Sequence, residues 1–199
     1  MILVYKIATT GMPLWRAKDD DPEQPHMVAL TGLLCDEDAV GTVKATIDCL
    51  IAPKGWVIPV PSTAIHGVEQ HKAEQHGIPE DQALGMLFDL QARAGARVAH
   101  NEQFDARIVS IARARYPHVQ SQEWDQAQAI CSMRSTLEWL AATDGKTFYG
   151  RTAKLEVLHQ RVTGKDAPIG RSTMARAYAA RDVFFGVKAA LSEGSAFAK

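Results

Sequence analysis

A chain of 199 residues has room for a folded core, and 46% hydrophobic with 23% charged residues is ordinary for a globular protein. The net charge of −1 argues against a protein that coats duplex DNA non-specifically, which normally carries a strong basic excess. It leaves open a protein that grips only a strand end, where backbone amides, stacking and bound ions replace a basic surface. No apolar run approaches the ~20 residues needed to cross a bilayer, and Met1–Tyr5 is too short for a signal-peptide core, so no membrane role and a cytoplasmic address are expected. Cys35, Cys49 and Cys131 are widely spaced and odd in number, which reads as reduced thiols and not as a disulfide framework. His71 and His76, five residues apart, fall on different faces of a helix and do not suggest a zinc site.

Met1–Tyr5 is a continuous apolar run that ends at the polar turn TTGMP, as a buried strand would. The acidic, proline-containing segment Arg16–Pro25 is expected as an exposed loop. His26–Leu34 and Val43–Ile51 read as two further strands separated by the turn-like CDEDAVG, close enough to form an antiparallel meander with the first. Pro53–His66 is proline-rich and is expected to be irregular. From Pro79 to about Ala94, the spacing of Leu84, Leu87, Phe88 and Gln91 predicts a helix, with its proline in the permitted first turn.

Arg97–His100 follows as a short strand. Asn101 is placed to cap a helix whose inward stripe is Ile108, Ile111 and Ala112. Further helices are expected at Arg134–Ala142 and Thr152–Thr163, and a long alanine-rich one at Thr173–Leu191. Thr143–Lys154 reads as a solvated loop, with substrate contact through its basic and aromatic residues as the alternative. Residues 192–199 read as a loose tail, and the whole of 1–199 as one domain. This order predicts an α/β fold of three layers, a mixed sheet flanked by helices.

Three short constellations carry chemistry. Tyr178 and Asp182 are spaced i, i+4 and project from one helix face, where a carboxylate can ligate a metal and a phenol can position water. In AHNEQFD, residues 99–105, a strand ends, a polar residue caps a helix, and Asp105 lies in the first turn, near the strand's C-terminal end. The first strand and its turn, LVYKIATTGMP (residues 3–13), form the third.

Together these segments resemble the three motifs of the DEDD exonuclease superfamily. There the first strand reads Asp-x-Glu before a Thr/Gly turn. AHNEQFD resembles the second motif, and YAARD (178–182) resembles the third motif of the DEDDy branch, as in the proofreading domains of family A DNA polymerases. The likeness runs from residue 1 to about 191. It implies a ribonuclease H-like fold and release of nucleotides from the 3′ end of a nucleic acid, DNA foremost, using two Mg²⁺ or Mn²⁺ ions.

In that family scheme two metals about 3.5–4 Å apart clamp the scissile phosphate, and hard cations call for carboxylate oxygens. The resemblance assigns Asp105 and Asp182 to the metals and Tyr178 to the attacking water. It assigns Thr9, Thr10, Gly11 and Met12 to the terminal nucleotide, and His100, Asn101 and Phe104 to the path of the strand. Implied partners are a single-stranded or frayed 3′ end, a nucleotide monophosphate as product, and a separate polymerase.

The first motif departs from the family. Lys6 stands where the Asp belongs and Ala8 where the Glu belongs. Two lost acids and one gained cation move such a site's charge by +3, which opposes tight binding of two dications. Lys6 is expected to lie near one metal position and to pair with Asp105 or Asp182. Little hydrolysis is expected of the chain as it stands. Both missing acids belong to one motif, as after a deliberate knock-out. The alternative is a natural pseudo-nuclease that binds nucleic acid or a partner.

Overall fold

The structure is a computed structural model and describes residues 1–144, 154–167 and 170–196. In chain order the elements are β1 (Ile2–Thr9), β2 (Met27–Cys35), β3 (Val43–Leu50), α1 (Val60–His66), α2 (Gln70–His76), α3 (Glu80–Gln91) and β4 (Ala96–Ala99). They continue with α4 (Glu102–Arg115), α5 (Gln122–Gln126), β5 (Gln128–Cys131), α6 (Ser132–Asp144), α7 (Leu155–Thr163) and α8 (Thr173–Ala196).

The sheet runs in the order β3-β2-β1-β4-β5. β1, β2 and β3 pair antiparallel as the expected meander, while β4 and β5 join parallel to β1, giving the expected mixed sheet with helices on both faces. β2 is buried throughout, which is why its sequence MVALTGLLC does not alternate. β3 alternates because it is the edge strand and only one of its faces is covered.

β1 divides the molecule into two cores by its period of two. Leu3, Tyr5 and Ile7 face Leu84, Leu87, Ile108 and Ile111 of α3 and α4. Ile2 and Val4 face Leu140, Leu158, Ala180 and Val183 of α6, α7 and α8. The same alternation turns Lys6 and Ala8 toward the α8 side, beyond the end of that second core.

Four expectations need correction. β1 does not stop at Tyr5 but runs to Thr9, because Lys6, Ile7 and Ala8 pair with Thr31, Leu30 and Ala29 of the adjacent strand. Residues 53–66 are not irregular throughout: α1 begins after Pro59 and closes at Gly67, whose φ of 77° is the left-handed conformation that glycine adopts most easily. Asn101 occupies the capping position of α4 but makes no side-chain cap, since its own backbone is left-handed (φ 63°, ψ 56°). β5 was not expected at all; its QAIC sequence has little strand character, and it forms at the sheet edge by parallel pairing with β4. The 143–154 segment lies largely outside the described residues.

Candidate functional site

At the C-terminal end of β1 the chain opens a cleft of about 280 Å³. Its walls come from β1 (Lys6, Ala8), the following turn (Gly11, Met12), α1 (Ile65, His66), α4 (Phe104), and Arg171 two residues before α8 with the start of that helix (Thr173, Arg176). An added Cβ on Gly11 would meet nothing within 4 Å, so the turn stands clear of the rest of the chain. Met12 and Ile65 are largely exposed at the rim, at 69% and 68%.

Lys6 forms the floor, with Asp105 buried beneath it. The Lys6 ammonium donates to both Asp105 oxygens at 2.8 Å, and the Ile7 N–H donates to Asp105 Oδ1 at 2.9 Å. The pair joins β1 to the first turn of α4, as anticipated for Lys6. Asp105 is completely buried, and that burial pushes its carboxyl above the usual range while the Lys6 charge and its hydrogen bonds pull it back. The Lys6 ammonium also sits 5.1 Å from the centre of the Phe104 ring.

His66 carries a signal of a different kind. It is only 8% exposed, and its Nδ1 accepts the Val68 N–H at 3.1 Å, which places the ring proton on Nε2. Nε2 is itself buried and, among the described residues, makes no well-formed hydrogen bond, although the Thr9 carbonyl acts on the ring. Burial lowers the His66 pKa, and the nearby Thr9 carbonyl opposes that shift. His66 thus contributes a largely buried ring to the cleft wall.

α8 does not bring Tyr178 and Asp182 to this floor. Thr173 at its start donates or accepts a hydrogen bond with Thr31 at 2.8 Å, and Thr31 pairs with Lys6 in the sheet. Nine residues further along, about 13 Å of helix rise, Asp182 accepts from His159 Nε2 at 3.3 Å and from Arg181 Nε at 2.9 Å. Arg181 covers the Tyr178 ring at 4.7 Å, and the charges of Arg181 and Asp182 act on Cys35, which pairs with Ile2 at the opposite end of β1. The side chains that α8 does present to the cleft are Thr173 and Arg176.

The other expected contacts divide. Thr9, Gly11, Met12 and Phe104 line the cleft with Lys6 and Ala8. Thr10 is tied back instead: its hydroxyl accepts the His26 N–H at 3.0 Å and its carbonyl accepts the Ser62 hydroxyl at 2.6 Å. His100 faces Ser132 at 3.4 Å, and Asn101 is exposed; neither lines the cleft. Arg171, Arg176 and His66 were not singled out in the sequence.

Two catalytic metals do not fit these residues. Ala8 supplies no oxygen, both oxygens of Asp105 are engaged by Lys6, and Asp182 lies elsewhere. Among the described residues no group of three or more His, Cys, Asp or Glu side chains is arranged to hold a metal ion. Among them, too, no helix is long and apolar enough to cross a membrane.

No protein-family model and no curated protein matches the sequence. Solved structures do match the fold. The structure of E. coli exonuclease I in complex with a dT13 oligonucleotide is 14% identical, with a TM-score of 0.74 over 98% of this chain and 42% of that one. A zinc-bound E. coli exonuclease I–single-stranded DNA complex is 13% identical, with a TM-score of 0.73 over 98% of this chain and 42% of that one. A product-bound exonuclease I is 14% identical, with a TM-score of 0.70 over 94% of this chain and 43% of that one. The chain thus shares the fold of those exonuclease I structures, a mixed sheet flanked by helices as expected, and spans about two fifths of the length of those chains.

Proposed function

We propose that this chain is an exonuclease-fold module that holds the 3′ end of single-stranded DNA and does not hydrolyse it. One observation carries the reading: among the described residues the cleft at the end of β1 is lined by Lys6, Arg171 and Arg176 and by no Asp or Glu. A two-metal nuclease needs the opposite charge at that point, because its carboxylates must gather and neutralise two dications. Asp105, beneath the cleft, is already paired with Lys6.

Support for DNA comes from the company the fold keeps. The matching exonuclease I structures include complexes with dT13 and dA16 oligonucleotides. Phe104, Met12 and Ile65 give the cleft an apolar wall against which a terminal base can pack. Arg171 and Arg176 extend the reversal of charge beyond the first motif, which favours a natural binding module over a nuclease disabled only at Lys6 and Ala8. The active exonuclease, with Mg²⁺ or Mn²⁺, mononucleotide release and a polymerase partner, is the second reading; it draws on Asp105 and on the fold.

A 3′-unpaired DNA oligonucleotide, labelled at its 5′ end and incubated with the chain and Mn²⁺, tests this. Fluorescence anisotropy should report binding while gel electrophoresis shows the strand intact. Stepwise shortening from the 3′ end contradicts the proposal, and so does the absence of binding. The Lys6→Asp, Ala8→Glu variant should remain inactive, since Arg176 still occupies the α8 wall.

A further inference from the structure

We infer that Lys6, Arg171 and Arg176 form a phosphate clamp that works without metal, and that the cleft's specific occupant is a single nucleoside monophosphate unit, free or as the last nucleotide of a strand. The inference rests on the strand-end reading above and names the group that the site recognises.

The donors left over in the cleft suit a phosphate. An ammonium has three protons, and Asp105 takes two of those on Lys6, leaving one. Arg171 commits one nitrogen to the Ala64 carbonyl at 2.7 Å, which fixes the side chain on α1 and leaves its other N–H groups unassigned. Arg176 meets Glu156 at 3.7 Å, with 35% and 56% of the two side chains exposed, so that solvent-screened pair holds it only weakly. Guanidinium groups present paired N–H donors that match phosphate oxygens, and hydrogen bonds between charged groups are about twice as strong as neutral ones.

The acids nearby do not cancel this field. Asp105 is matched by Lys6, and Asp48 opens into an adjoining recess shared with Ala8 and His66, where its carboxylate accepts the Thr31 hydroxyl. Among the described residues the cleft's lining therefore keeps the charge of two arginines, opposed only by the solvent-screened Glu156 beside Arg176.

His66 adds a largely buried ring to the cleft wall. With Phe104 and Ile65 beside it, the cleft combines cations and an apolar wall in about 280 Å³, close to the lower end of small-molecule sites. That combination describes one nucleotide better than inorganic phosphate alone or an extended backbone alone.

Isothermal titration of the full chain with dTMP and with thymidine, each in EDTA and in Mg²⁺, tests the clamp. The 3′-unpaired oligonucleotide is titrated in parallel. We expect dTMP to bind equally with and without Mg²⁺, thymidine to bind at least about tenfold more weakly, and Arg171→Gln or Arg176→Gln each to weaken dTMP about tenfold. Arg181→Gln should change nothing, and unchanged thermal unfolding of each variant would show that folding is intact. A dTMP affinity that requires Mg²⁺, or that survives both cleft substitutions, overturns the clamp. If the oligonucleotide binds while dTMP does not, the clamp is wrong and the strand-end reading stands; if neither binds, both fall.

Discussion

Two turns of the same helix have opposite fates in this molecule. The start of α8 presents Thr173 and Arg176 to the cleft above Lys6, whereas the turn holding Tyr178 and Asp182 reaches His159, Arg181 and the neighbourhood of Cys35. Both stretches hold polar side chains in helical spacing. What separates them is the register of α8 against the sheet, set by the bond from Thr31 of β2 to Thr173 at one end and by Ala177, Ala180 and Val183 along the shared core. The lesson is that an i, i+4 pair fixes which side chains point together but not what lies opposite them.

Substitutions at the two turns can break or sharpen that contrast. The largest effect belongs to Lys6→Ala, which strands the buried Asp105 carboxylate; loss of about 3–5 kcal/mol is expected in chemical denaturation at neutral pH. The sign of its pH dependence follows from the raised Asp105 pKa: protonation removes the unpaired charge, so the deficit should shrink as pH falls and grow as pH rises through the folded-state pKa. Asp182→Asn, at a partly exposed pair, should cost under about 1 kcal/mol. Equal losses at the two acids would erase the distinction between the turns.

Next in size are the binding effects. Phe104→Ala should weaken oligonucleotide binding by about 1–3 kcal/mol through lost stacking, and Tyr178→Phe should leave it unchanged. Arg176→Gln should also flatten the salt dependence of strand binding by about 0.7 in the log–log slope, as one phosphate contact is lost, whereas Arg181→Gln should not.

The smallest effect concerns His66. Its folded pKa lies below the ordinary value of 6.5 because burial penalises the charged ring. The unfolded chain therefore binds the proton first as pH falls, and stability should decline below about pH 6.5. His66→Gln should remove part of that decline, measured by thermal unfolding across the same range.

Much of the architecture was legible in the sequence. The meander, the mixed sheet and the inward stripes of α3 and α4 follow from apolar runs and helical spacing, and Lys6 opposite Asp105 follows from the family likeness. The missed elements are short or weakly patterned: α1 and α2 have seven residues each, and β5 draws its pairing from β4 and not from its own side chains. The α8 wall was misjudged because YAARD matches a familiar spacing, whereas Arg171 and Arg176 match none. Their signal was available only as two cations bracketing the start of an otherwise alanine-rich helix. His66 became visible only through tertiary structure, since its place in the cleft wall depends on neighbours distant in the sequence.

The central claim is that cations have replaced metal ligands in the cleft and that Arg176, not Asp182, faces it. Backbone amide NMR of the chain, titrated with dTMP in EDTA and separately with Mn²⁺, addresses both halves at once. The account predicts dTMP-induced shifts at Lys6, Phe104, Thr173 and Arg176, none at Tyr178 or Asp182, and no selective broadening around Asp105 by Mn²⁺. Strong Mn²⁺ broadening at both Asp105 and Asp182, with dTMP shifts appearing only in its presence, would contradict it.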